Sequence, residues 1–141
     1  MELGTAGSIL SYGIELEVKA LEFYLRILTD DVSPHARVVL EAIHKQHRKM
    51  SRKLDRMRKE NVTEMILEPI YGFQSHDYIL DLTSPVEGNN ILTTAKQIEE
   101  LIQDFCNNAA MKVAFLPDLS QLLVDLGRMS RRNLDSLAEL G

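Results

Sequence analysis

The chain has 141 residues, of which 45% are hydrophobic and 26% are charged, and its net charge is -5. This composition predicts a single globular domain over 1–141, and the negative charge disfavours a general nucleic-acid binder. The single cysteine excludes an internal disulfide and is typical of a reducing compartment. No signal peptide and no apolar stretch of roughly 18 residues is visible, so we expect a cytoplasmic protein without a membrane span.

The first half of the chain predicts two helices separated by a turn. Residues 1–7 are expected to be a loose lead-in, and apolar residues at helical spacing predict a first helix over 8–28. Ser33 and Pro34 are suited to the N-cap and first position of a second helix over 34–60. The outer face of this helix is basic, and it is either a solvated surface or a binding site for an acidic protein partner. Its basic residues are Lys45, Arg48, Lys49, Arg52, Lys53, Arg56, Arg58 and Lys59.

The second half begins with a long connection and predicts two more helices. Residues 61–90 contain turn formers, including Pro69 and Pro85, among apolar residues that should pack. The second helix should be roughly 39 Å long at about 1.5 Å per residue, and the connection is long enough to return along it. A third helix is predicted over 91–112, and a fourth over 119–140 after Pro117. Helices two and three are then expected to run parallel, joined by a crossover.

The two halves resemble each other. A shift of 82 residues places Glu17 on Glu99 and Tyr24 on Cys106. A shift of 83 residues aligns four pairs in the second and fourth helices, Pro34 with Pro117, Leu40 with Leu123, Ile43 with Leu126 and Leu54 with Leu137. The predicted fold is therefore all-α, a four-helix bundle made of two antiparallel helical hairpins joined by a long crossover.

Glu17 and Glu99 are the strongest candidates for functional residues, because both lie on or beside apolar helix faces. A buried carboxylate is costly unless something pairs with it, and paired carboxylates in a bundle core are typical of metal sites. An antiparallel hairpin that turns near Val32 places Glu17 opposite His47 rather than Glu41. The Glu-x-x-His sequence formed by Glu41 and His44 is therefore interpreted as a coincidence of register.

The sequence allows several roles for these side chains. His47 is either a metal ligand or a core histidine bonded to Glu17. His44 lies one turn from His47. Together with Glu17, the two histidines would suit zinc or a similar ion such as iron, with one open coordination position. Without a metal, the glutamates would need protons or a cationic partner, and the candidate cations are His47, Arg128 and Arg132. Cys106 is interpreted as a buried hydrophobe, and Tyr24 as a core residue whose hydroxyl bonds a polar neighbour.

The stretch "IELEVKALEFYLRILTDDVSPHARVVLEAIHKQHRKMSRKL" resembles the first hairpin of the rubrerythrin-type branch of the ferritin-like proteins. The second hairpin follows the family pattern more weakly. The resemblance implies a diiron centre held by one glutamate from each odd helix and a Glu-x-x-His pair from each even helix. Glu17 and Glu99 match the two single glutamates. The other four ligand positions hold His47 and Met50 in the second helix, with Ser130 and Asn133, or Met129 and Arg132, in the fourth.

Two of the six ligands match, so an intact diiron centre is not expected, and one iron or zinc ion is the most that the site would bind. Three function classes follow: a ferritin-like module that has lost its irons and is not an enzyme, a metal-binding redox protein of rubrerythrin type with an altered site, and an interaction module that uses the basic second helix. The chain has no C-x-x-C pair, so an active oxidoreductase of this type would need a separate electron donor. The resemblance also implies a homodimer.

Overall fold

The computed structural model describes residues 1–60, 69–82 and 90–140. Four helices account for most of them: α1 (Ala6–Leu28), α2 (Pro34–Glu60), α3 (Asn90–Lys112) and α4 (Pro117–Leu140), with a short 3-10 helix at Ser75–Asp77. The described part of the chain is therefore an all-helical four-helix arrangement, and its only β pairing is an isolated bridge between Glu2 and Gln74. None of the described helices combines the length and hydropathy of a membrane span. The parts of the predicted connection at 61–68 and 83–89 lie outside the described residues.

The helix starts differ slightly from the prediction, for local reasons. Thr5 and Ser8 form a capping box, in which Ser8 N donates to Thr5 Oγ1 at 3.0 Å and Thr5 N donates to Ser8 Oγ at 3.1 Å. This cap extends α1 two residues before the predicted start. Likewise α4 starts at Pro117 rather than at 119, because a proline is compatible with the first position of a helix.

The prediction of a loose segment over residues 1–7 is wrong. Leu3 is fully buried, and its backbone N–H donates to Phe73 O at 2.8 Å. Ile70 N donates to Gly4 O at 2.9 Å in the same pairing. The first residues are thus held by the connection between α2 and α3, whose apolar side chains Ile70, Phe73 and Leu80 are buried.

The four helices pack as two hairpins, α1 with α2 and α3 with α4, with smaller contacts between α1 and α3 and between α2 and α4. Two contacts fix the relative direction of α1 and α3. Near the start of α1, a Cβ on Gly13 would lie 3.4 Å from the Phe105 ring late in α3. Near the end of α1, the Tyr24 hydroxyl contacts Glu99, which precedes Phe105 in α3. These two helices therefore run antiparallel.

The internal repeat is visible as matched burial. Glu17, Glu99, Tyr24 and Cys106 are all buried, and they lie on the inner faces of α1 and α3. The matched leucine and isoleucine residues of α2 and α4 are buried too: Leu40, Leu123, Ile43, Leu126, Leu54 and Leu137. The two hairpins thus present equivalent apolar faces to one core, which encloses a few polar side chains at its centre.

Candidate functional site

A buried imidazole joins the two predicted glutamates. Glu17 on α1, His47 on α2 and Glu99 on α3 are each no more than 1% exposed. His47 Nδ1 lies 2.5 Å from Glu17 Oε2, and His47 Nε2 lies 2.8 Å from Glu99 Oε2 and 2.9 Å from Glu99 Oε1. The two carboxylates therefore bind opposite edges of one ring. The predicted pairing of Glu17 with His47 is confirmed.

Glu99 receives two further hydrogen bonds, so the cluster reaches all four helices. The Asn133 amide on α4 donates from Nδ2 to Glu99 Oε1 at 2.7 Å. The Tyr24 hydroxyl donates to Glu99 Oε2 at 3.2 Å, which confirms the prediction that this core tyrosine bonds a polar neighbour. The ring of Tyr24 also stacks on the His47 imidazole, with centroids 5.6 Å apart and planes at 16°. We call these five residues, Glu17, Tyr24, His47, Glu99 and Asn133, the polar cluster.

The electrostatics of the polar cluster favour a protonated imidazole. Burial alone would lower the pKa of His47, but the charges of Glu17 and Glu99 and their hydrogen bonds hold it well above its ordinary value of 6.5. An imidazolium donates from both ring nitrogens, which matches an acceptor on each side. Burial, and then the charge of Glu99, raises the pKa of Tyr24 well above its ordinary range, so its hydroxyl remains a donor.

Two buried polar atoms have no hydrogen-bond partner among the described residues. They are Oε1 of Glu17 and Oγ of Ser130. Ser130 is fully buried and occupies the position in α4 that His47 occupies in α2, when the halves are shifted by 83 residues. An unsatisfied buried acceptor is costly, so each of these two atoms has unused hydrogen-bonding capacity inside the core.

The other predicted site residues have different surroundings. His44 is half-buried, and among the described residues it forms no hydrogen bond or ion pair with either glutamate. The side chain of Arg128 is 69% exposed and lies 3.9 Å from Asp125, and Arg132 is exposed as well. Of the three candidate cations for the glutamates, His47 is therefore the one that the fold places beside them. Glu41, which the predicted register excludes from the core, is exposed and lies near Arg37.

Two registers were predicted for α4, one that places Ser130 and Asn133 at the family's ligand positions and one that places Met129 and Arg132 there. Ser130 and Asn133 are buried and Asn133 bonds Glu99, whereas Arg132 in the alternative register is exposed. Met129 is also buried, and Met50 is partly buried against the core, as expected of residues that fill space. Cys106 is buried as predicted, and burial followed by the charges of Glu17 and Glu99 raises its pKa well above the ordinary value.

The geometry of the polar cluster differs from that of a metal site. A metal ion needs donor atoms that converge on one point, but here the two carboxylates bind opposite ring nitrogens. Within 1–60, 69–82 and 90–140, no group of three or more His, Cys, Asp or Glu side chains is arranged to hold an ion. Whether Glu17, Glu99, His47 and His44 bind a metal stays a prediction.

Sequence reasoning did not assign the amide of Asn133 a role as a donor to Glu99. The internal repeat contained the signal, because it places Asn133 one turn after the counterpart of His47.

The predicted basic face of α2 is exposed except for Arg58, which is half-buried and lies 2.7 Å from Asp55.

No model of a known protein family matches this sequence, and neither a curated protein nor a solved structure matches it.

Proposed function

We propose that this chain is a non-catalytic ferritin-like module, in which a protonated histidine holds the two family glutamates where the rubrerythrin-type pattern would place irons. The observation that carries the proposal is the bridge from Glu17 to Glu99 through both nitrogens of His47. An imidazolium has no lone pair for a metal, and its positive charge offsets part of the buried negative charge.

The helix directions support the ferritin-like part of the proposal. Since α1 and α2 form a hairpin and α1 is antiparallel to α3, α2 and α3 must run parallel. Parallel α2 and α3 are what a ferritin-like topology requires, because there a long crossover joins the two helical hairpins. An up-down-up-down bundle would instead place α2 and α3 antiparallel.

The residues at the bundle centre do not fit a diiron centre. Two irons carry at least four positive charges and need several carboxylates and free imidazole nitrogens. The four positions where the family has its Glu-x-x-His pairs offer an imidazole bonded on both sides, a thioether, a hydroxyl and an amide. They are His47, Met50, Ser130 and Asn133. Two carboxylates remain, and Glu99 already accepts hydrogen bonds from Tyr24 and Asn133.

A second candidate function is a site for a single divalent ion. The observation that favours it is the buried Oε1 of Glu17, which has no hydrogen-bond partner among the described residues. His47 would then have to lose its proton and release one carboxylate, so that Glu17 and His47 could both bind the ion. His44, in the preceding turn of α2, would supply the third ligand. This arrangement would suit zinc or ferrous iron.

Metal analysis of the purified chain and anaerobic loading with ferrous iron followed by oxygen test both candidates. The proposal expects no stoichiometric metal and no absorption band of an oxo-bridged diferric centre. Glu17→Gln is compared with Glu22→Gln, since Glu22 is exposed on the same helix. One ion per chain, lost in Glu17→Gln and kept in Glu22→Gln, would favour the second candidate. Two irons per chain would overturn both.

A gain-of-function variant tests the scaffold itself. Restoring both Glu-x-x-His pairs should convert the polar cluster into a site that binds two ions per chain, if the ferritin-like assignment is correct. The four changes are His47→Glu, Met50→His, Ser130→Glu and Asn133→His. A folded variant that binds no metal would argue against the ferritin-like assignment.

A further inference from the structure

We propose that the exposed side of α2 binds an acidic helix of a protein partner. The surface is a row of cations along three turns of α2, which we call the α2 stripe. It consists of these residues: Lys45, Arg48, Lys49, Arg52, Lys53 and Arg56. All of them are exposed, and none forms an ion pair with a described residue. The inference does not depend on the proposed function.

The α2 stripe differs from an ordinary solvated helix face because it lacks acidic residues. No Asp or Glu occurs between Lys45 and Leu54, and Asp55 is already held by Arg58 at 2.7 Å and by Lys59 at 3.0 Å. Every cation of the stripe has at least two of the others three or four positions away. Side chains at this spacing are neighbours, and like charges there repel, whereas a solvated face usually alternates the two signs. The α2 stripe therefore carries positive charge that no described residue neutralises by an ion pair.

The α2 stripe points away from the core of the bundle. At about 3.6 residues per turn, its cations lie within an arc of about 140° around the helix axis. The buried residues Ile43, His47 and Leu54 lie on the opposite side of α2. The stripe extends for about 16 Å at about 1.5 Å per residue. Within the described residues 45–56 no large apolar side chain is exposed. The surface is thus straight, narrow and polar, and it suits a partner that binds through charge.

The charge of the rest of the chain favours a partner no wider than one helix. The residues of α2 include nine Lys or Arg and three Asp or Glu, a net charge of +6, whereas the whole chain carries -5. The remainder of the chain therefore carries -11. A nucleic-acid duplex or a membrane surface is wider than an α-helix, so it would also lie against acidic parts of this molecule. A protein helix with one acidic face can contact the α2 stripe alone.

The spacing of the cations selects a helix rather than an extended chain as the partner. The α2 stripe presents one or two cations per turn, which repeat about every 5.4 Å along the axis. Acidic residues three and four positions apart on a partner helix repeat at the same interval. In an extended strand, side chains on one face repeat at about 6.6 Å, so they fall out of step with the cations within the length of the stripe.

Fluorescence anisotropy with two labelled peptides and the full chain tests the interaction. Both probes are alanine-rich helical peptides of about 20 residues that contain the same number of glutamates. In the one-face peptide the glutamates lie three and four positions apart on one side, and in the scattered peptide they are distributed around the helix. We expect the one-face peptide to bind about 10-fold more tightly or better, with an affinity that falls as the salt concentration rises.

Neutralising the middle of the α2 stripe should weaken the binding of the one-face peptide. Lys49→Gln, Arg52→Gln and Arg56→Gln together should raise its dissociation constant by about 10-fold or more, because three ion pairs are lost at once. The matched control removes the same charge through three arginine-to-glutamine changes at exposed positions of α4. The control residues are Arg128, Arg131 and Arg132. The control should change the dissociation constant by less than about 3-fold, since distant exposed charges are screened. Both triple variants should keep their helical circular dichroism.

Four results would overturn the proposal. Equal binding of the two peptides would exclude an acidic helix face as the ligand, and an equal loss in the two triple variants would exclude the α2 stripe as its site. Absence of binding by the one-face peptide would exclude the interaction itself. A DNA duplex and phosphatidylserine vesicles are measured at the same salt concentration, and tighter binding of either one would identify a nucleic acid or an anionic membrane as the ligand instead.

Discussion

Replacing His47 should expose the cost of leaving two buried carboxylates without their cation. The substitution His47→Gln removes two contacts with Glu17 and Glu99, each between charged groups and at 2.5–2.9 Å. A hydrogen bond that involves charged groups contributes about 1.5–3 kcal/mol, and removing one partner of a buried ion pair costs about 3–5 kcal/mol. The two hydrogen bonds together give about 3–6 kcal/mol, which overlaps the ion-pair figure, so we expect the free energy of unfolding to fall by about 3–5 kcal/mol.

Urea unfolding followed by helical circular dichroism measures this loss. His44→Gln is the matched control, because His44 lies one turn earlier on α2 and is half-buried without a bond to either glutamate. Its effect should stay below about 1 kcal/mol. A triple variant with leucine at 17, 47 and 99 should recover part of the stability, since its core carries no charge that needs compensation, while the Tyr24 hydroxyl and the Asn133 amide lose Glu99 as their acceptor.

The pH dependence follows from the raised pKa of His47. Its folded-state pKa lies above the ordinary value of 6.5, so the stabilisation is fully present below about pH 6.5 and is lost as the pH rises through the folded-state pKa. The difference between the wild type and His47→Gln should therefore shrink on the alkaline side. A loss below 1 kcal/mol at pH 6, or a difference that grows with pH, would refute the argument that His47 is the cation.

Three further predictions concern the neighbours of the bridge. Tyr24→Phe removes the hydroxyl that donates to Glu99 and should lower the free energy of unfolding by about 1–2 kcal/mol, measured by urea unfolding. Asn133→Asp places a third carboxylate in the cluster, against Glu99, and should destabilise the fold more than Asn133→Ala at pH 7. The difference between the two variants should be smaller at pH 5, and a difference that is the same at both pH values would contradict this. Cys106 should resist a thiol reagent in the native protein and react in guanidinium chloride, because it is buried and its pKa is raised; rapid native labelling would contradict its burial.

The register of the first hairpin could be predicted because the turn is short and marked by Pro34. Mirroring the chain about Val32 was enough to pair Glu17 with His47. The fourth helix was harder, because a one-residue change in the turn before Pro117 exchanges Ser130 and Asn133 for Met129 and Arg132. Burial of Asn133 decides between them, since an amide can satisfy Glu99 without adding charge to the core.

Two features depend on three-dimensional detail that spacing does not contain. His47 can bond two carboxylates only if α1 and α3 approach opposite edges of its ring. The distance between α1 and α3 is set by the packing between the two hairpins. His44 lies three residues before His47, which rotates it about 60° around the axis of α2 and away from the bundle centre. The same residue spacing that suggested a metal-binding pair therefore places one histidine at the centre and the other near the surface.

The polar cluster also affects which hairpin pairs with which. It disfavours pairing of a hairpin with the same hairpin of another chain. The α1–α2 hairpin brings a carboxylate and an imidazole to the core, and the α3–α4 hairpin brings a carboxylate and an amide. Two α3–α4 hairpins from different chains would bury two copies of Glu99 without a cation. Because repeated halves are prone to exchange between chains during folding, this unequal distribution of charge disfavours a swapped assembly and makes each hairpin the better partner for the other.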